Sequence, residues 1–103
     1  MAGKGIVITG EGIVSAIGND KKSVRTAIGG SRTGIGEMRY LQSEHHELPV
    51  GEVKLSDDEM KRLLDIPADR TVSRTTLLGI MAVREALRQS GWEKGASRRT
   101  ILI

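Results

Sequence analysis

Few residues in this 103-residue chain have the type and spacing to do chemistry, so each can be weighed in turn. Gly10-x-Gly12, directly after the apolar run Ile6-Val7-Ile8, has the look of a phosphate-binding turn. A dinucleotide site needs G-x-G-x-x-G: the third glycine allows close helix–strand packing, and the pyrophosphate then sits on the helix N-terminus. Here Ser15 stands in the third glycine position and the helix-start signal comes later, at Asn19-Asp20, so a structural turn is expected. His45-His46 could suggest a metal, but adjacent residues do not project to one side and no third ligand is suitably spaced. Asp57-Asp58-Glu59 could form a carboxylate site, yet a helix cap explains it without a ligand. Arg74, Arg84 and Arg88 could gather an anion, against a default of solvent-facing or interface charge. Ser15, Ser23 and Ser73 have no neighbouring histidine in sequence to serve as a base.

Composition narrows the options further. There is no cysteine, hence no disulfide, thiolate zinc site or cysteine nucleophile in this span. The net charge of +3 is spread along the chain, and the basic clusters Lys21-Lys22 and Arg98-Arg99 have no interleaved aromatics on which bases could stack. Nucleic-acid binding is therefore not expected. No apolar stretch approaches the ~18 residues of a membrane helix, and no signal-peptide pattern precedes Glu11, so a cytoplasmic chain without membrane contact is expected. With no Phe, one Trp and one Tyr, the core must be built from aliphatic side chains, which suits an α/β protein.

The elements that would position these residues follow from periodicity and caps. Ile6-Val7-Ile8 does not alternate polar with apolar and reads as a strand buried on both faces. Lys21–Ile28 is a short amphipathic helix stopped by Gly29-Gly30. Met38–Leu41 fits a short strand or an ordered loop equally well, and Leu48–Val53 reads as an extended piece at an edge. Ser56 and Glu59 make a capping box for a helix that stops before Pro67. The strongest helix runs from about Val72 to Ser90, with Gly91 as its stop. Thr75, Gly79, Ala82 and Ala86 form a strip of small side chains on it, which would admit another backbone. Gly79 costs ~1 kcal/mol of helix propensity, so close packing is expected there, and the helix is expected to be largely buried. Ile101-Leu102-Ile103 reads as a buried-type strand, and a chain stopping inside it is expected to be a fragment or a truncated product.

Taken in order, these stretches resemble the β-ketoacyl synthases, the thiolase-fold condensing enzymes. Residues Ile6 to Asp20 resemble the family's opening V-V-I-T-G-x-G-x-V-[TS]-x-x-G-x-x. Ala27 to Gly36 resembles A-L-x-x-G-x-S-G-I-x, and Gly51-Glu52-Val53 resembles the G-x-V strand. Arg74, Leu78, Ala82, Arg84-Glu85-Ala86-Leu87 and Gly91 resemble the D-R-x-x-x-x-A-x-x-A-x-x-E-A-L-x-x-A-G helix, and Arg99–Ile103 resembles the strand before a G-T loop. Glu11, Ala16 and Thr75 depart from the pattern and mark a divergent branch.

The resemblance implies that residues 1–103 are the N-terminal portion of a layered α/β/α/β/α fold, incomplete in this chain. It implies an acyltransferase of fatty acid or polyketide-type biosynthesis that takes an acyl thioester and malonyl thioester on acyl carrier protein. It also implies a homodimer, or a heterodimer with another synthase chain, without a cofactor or metal. The family's cysteine nucleophile and two histidines lie beyond the matched region, and His45 and His46 do not match them. No catalytic residue is carried over, and the chain alone is expected to be inactive. Two alternatives remain: a non-catalytic partner that associates with a complete synthase, and a small nucleotide-binding domain.

Overall fold

The computed structural model describes residues 5–91. The loop expected after Trp92 and the strand expected at Ile101–Ile103 lie outside them. Three helices carry the architecture: α1 (Lys21–Gly29), α2 (Asp57–Leu63) and α3 (Arg74–Ser90). Each begins where its local chemistry says it should. Asp20 Oδ1 accepts from the Ser23 amide (2.7 Å) at the start of α1. That bond comes first among the causes that hold the Asp20 carboxyl below its ordinary range. Ser56 and Glu59 form the expected capping box on α2, with reciprocal bonds of 3.1 and 2.8 Å. Ser73 caps α3, and Gly91 ends it in the left-handed region (φ 78°), donating to the Arg88 and Leu87 carbonyls.

The sheet half of the expected α/β pattern is not found among the described residues. They hold no sheet, only two isolated antiparallel bridges, Ser15 with Gly18 and Gly36 with Val50. The second agrees with an extended Leu48–Val53. Ile6-Val7-Ile8 is not a buried strand: the three residues are 101%, 76% and 83% exposed. A β-branched run needs neighbouring strands to take up its amides and carbonyls, and none of the described residues supplies one. Met38–Leu41 is an ordered loop with no strand.

The core is correspondingly small. Ala27, Met60 and Leu77 are its buried apolar residues among those described. α2 packs on α3, bringing Met60 and Leu77 out of solvent. α3 is not buried over most of its circumference as expected: Leu77 is its one buried residue and Ile80 is 39% exposed. The chain has 8432 Å² of accessible surface, where a compact 11.2 kDa domain would show about 5,700 Å². Its radius of gyration is 16.5 Å, against about 13 Å for a compact chain of this length. Ile28 on α1, Leu63 on α2 and Ile80 on α3 all remain exposed.

Candidate functional site

The glycine turn lies along one face of α3, and both sides of that contact can be read from the residues. Gly10 faces the Ala86 carbonyl and Gly12 faces the Ala82 carbonyl so closely that a Cβ at either glycine would collide with backbone. Small residues are needed on both partners, because a Cβ on the turn or a larger side chain on the helix would hold the two backbones apart. The lower half of the small-residue strip, Ala82 and Ala86, therefore does what its composition suggests. The upper half does not. A Cβ at Gly79 would meet nothing within 4 Å among the described residues, so the expected close packing there is absent.

Two polar side chains on the same face complete the contact. Glu85 Oε1 accepts from the Ile13 amide (2.9 Å), and Glu85 Oε2 accepts from the Lys21 amide (2.8 Å). Gln89 Oε1 accepts from the Glu11 amide (2.6 Å). Positions 82, 85, 86 and 89 recur at three- and four-residue spacing, so one helix stripe reads four consecutive residues of the turn. Lys21 opens α1, so one carboxylate bridges the turn and the positive end of a helix. Lys21 also pairs with Glu11 (3.2 Å) through its ammonium.

This arrangement decides what the turn can do. A pyrophosphate would need the turn amides and the first amides of α1. Glu85, Gln89 and Asp20 already accept from Ile13, Lys21, Glu11 and Ser23. Ser15, in the third glycine position, closes its own tight turn with Gly18 through bonds of 2.8 and 3.3 Å. The stretch is a structural clasp, and the Glu11, Ile13, Lys21 and Ser23 amides that a pyrophosphate would call on are already taken by side chains of the protein.

The remaining sequence candidates disperse. His45 and His46 are exposed, and His45 lies 3.5 Å from Glu47. No group of three metal-ligating side chains forms among the described residues. Asp57 is turned to Arg74 (2.9 Å), whose guanidinium also donates to the Val53 carbonyl (3.0 Å) and lies 5.6 Å over the Tyr40 ring. Arg84 donates to the Leu63 carbonyl, tying α3 to the end of α2. Arg74 thus stands apart, while Arg84 and Arg88 line one pocket that also carries the carboxylates of Asp20 and Glu85. Ser15, Ser23 and Ser73 serve turns and caps.

One group that sequence reasoning passed over is the only buried charged side chain among the described residues. Glu52 is 4% exposed, and its carboxylate accepts from three successive amides: Arg39 (2.5 Å), Tyr40 (3.1 Å) and Leu41 (3.0 Å). Burial pushes its pKa up, but the three amides and Lys54 together hold it below the ordinary glutamate range. This cage orders the 39–41 loop. Its signal in the sequence was a lone acid inside an extended apolar piece, Val50-Gly51-Glu52-Val53. Glu85 had a weaker one, an acid beside the small-residue strip. Comparison of the chain with models of protein families, with curated proteins and with solved structures finds no match.

Proposed function

We propose that this chain is the N-terminal part of a β-ketoacyl synthase. One observation carries the reading: the residues quoted for the resemblance, drawn from separate stretches, meet one another. Gly10 and Gly12 of the opening motif lie on Ala82 and Ala86 of the helix motif. Ile13 is bonded to Glu85, the acid of Glu85-Ala86-Leu87. Gly34, from the second stretch, closes on the backbone of the first at Ala16, itself a position that departs from the pattern, and Arg74 donates to Val53 of Gly51-Glu52-Val53. Signature residues that form each other's contacts are what a shared fold requires, because each is constrained by the next.

In this reading the span is scaffold. It belongs to a layered α/β/α/β/α enzyme in which Ile6-Val7-Ile8 is a sheet strand and α3 an interior helix. The cysteine that receives the acyl group and the histidines that support malonyl decarboxylation come from outside the matched region. Acyl carrier protein and acyl or malonyl thioesters are the partners of the whole enzyme. The test is a chimera in which residues 1–103 replace the corresponding part of a complete β-ketoacyl synthase. Formation of β-ketoacyl thioester by the chimera, and none by the chain alone, is the expected outcome; a soluble, folded chimera without product counts against the proposal.

A second reading, a non-catalytic partner of a complete synthase, draws on the exposure of Ile6, Val7 and Ile8. Backbone groups on such a run are available to pair with a second chain. Co-elution of the chain with an intact synthase on size exclusion supports this reading, and separate elution at micromolar concentration removes it.

A further inference from the structure

Residues of the 32–54 segment, with Ala16 and Ile17 before α1 and Ala27 within it, line an open-mouthed cleft of about 460 Å³. Its walls carry three cations, Arg32, Arg39 and Lys54, against one carboxylate, Glu37. We infer that this cleft binds a phosphorylated small molecule, its phosphate held by Arg32 and Arg39.

The cleft is built by fixed backbone. Gly34 sits so close to Ala16 that a Cβ there would collide with the Ala16 carbonyl group. The Ile35 amide donates to Thr33 Oγ1 (3.1 Å), and Gly36 exchanges bonds of 3.0 and 2.9 Å with Val50. The opposite wall is set by Glu52, which holds the Arg39, Tyr40 and Leu41 amides. Lys54 reaches across to the Gly34 carbonyl (2.9 Å) and joins the two walls. The positive side chains are therefore presented by an ordered frame.

Charge and partnering select the ligand. Neither the Arg32 nor the Arg39 guanidinium forms an ion pair or side-chain hydrogen bond among the described residues, so both are open to a ligand on the cleft wall. Three cations and one carboxylate leave two positive charges, and a phosphomonoester brings about −1.5 to −2 at neutral pH. Guanidinium matches phosphate in forked geometry. The negative end of α1 does not oppose this, because its last carbonyls are taken: Thr26 by the Gly30 amide, Ala27 by Arg32 and Ile28 by Ser31. The cleft is larger than a phosphate needs and falls in the size range of small-molecule sites, roughly 300–1,000 Å³. Tyr40, Ile17 and Ile35 line it and offer apolar surface to the organic part. The cleft is independent of the synthase proposal: an inactive chimera leaves phosphate binding untouched, and absence of phosphate binding leaves the chimera's activity untouched.

The test is calorimetric titration of the full chain with phenyl phosphate, inorganic phosphate, phenol and hexaglutamate, repeated on the Arg32→Gln/Arg39→Gln variant. Both side chains are exposed and unbonded, so the variant should keep the wild-type circular dichroism and melting curve. Phenyl phosphate is expected to bind saturably with Kd about 1 mM or tighter, inorganic phosphate more weakly and phenol not at all, with at least about a tenfold loss in the variant. Inorganic phosphate binding as tightly as phenyl phosphate would assign the site to the free ion and overturn a small-molecule ligand. Tighter binding of hexaglutamate would overturn it in favour of an acidic protein. No saturation by any phosphate, or equal binding by a folded variant, refutes the site itself.

Discussion

Substituting Gly12 with alanine tests the clasp directly. The new Cβ would run into the Ala82 carbonyl oxygen, with the Ala82 carbon at 2.7 Å and the Ala86 amide nitrogen at 3.1 Å. All three obstacles are helix backbone, so no rotamer change relieves them; the turn must lift from α3. Overpacking of this kind costs about 1–3 kcal/mol. Lifting also stretches the Ile13–Glu85 and Glu11–Gln89 bonds, which are exposed and together contribute roughly 1–2 kcal/mol. The sum, roughly 2–5 kcal/mol, lowers the melting temperature of a chain this size by about 10 °C or more. Gly79→Ala is the internal control on the same helix. Its Cβ would meet nothing within 4 Å among the described residues, so removing a helical glycine should stabilise by about 0.5–1 kcal/mol, or roughly 2–8 °C. Thermal unfolding followed by circular dichroism at 222 nm reads both. A Gly12→Ala protein that melts with the wild type would refute the close approach of turn and helix, and a Gly79→Ala protein that melts well below it would refute the open space beside Gly79.

Three further outcomes follow from the same contacts. Glu85→Ala leaves the Ile13 and Lys21 amides without their acceptor; it should destabilise by about 2 kcal/mol and speed hydrogen exchange at those two amides, and unchanged exchange would break the assignment. Glu52 has a folded-state pKa below its unfolded value, so its contribution is full above the ordinary glutamate pKa and is lost as the pH falls through the lowered one. Unfolding midpoints measured from neutral to strongly acidic pH should therefore decline in that acidic window, and Glu52→Gln should flatten the decline. Ser56→Ala removes half of the α2 capping box and should cost about 1 kcal/mol by denaturant melting, with no cost if Glu59 alone secures the helix start.

The helices were legible in the sequence because their start and stop signals are local. Asp20, Ser56, Ser73 and Gly91 each act within four residues of where they stand. Ile6-Val7-Ile8 is not a buried strand among the described residues, because a strand is a property of its neighbours and they give this run none. The small-residue strip was read correctly at Ala82 and Ala86 and wrongly at Gly79, since composition names a surface that admits a backbone without saying where one arrives. The carboxylate contacts were the least legible. Glu85 reaches amides 72 and 64 positions away, and Glu52 reaches amides 11 to 13 positions away. Backbone amides are identical in every sequence, so nothing in the text marks which of them an acid will find.

The proposal that these residues are scaffold for a condensing enzyme meets its most direct test in the chimera. A synthase whose first part is replaced by residues 1–103 is supplied with acyl thioester and malonyl-loaded carrier protein, and products are read by mass spectrometry. The expected result is a β-ketoacyl product whose formation depends on the malonyl donor and is lost on Gly12→Leu, which opens the clasp. A folded chimera that makes no such product, beside an active parent synthase, would contradict it.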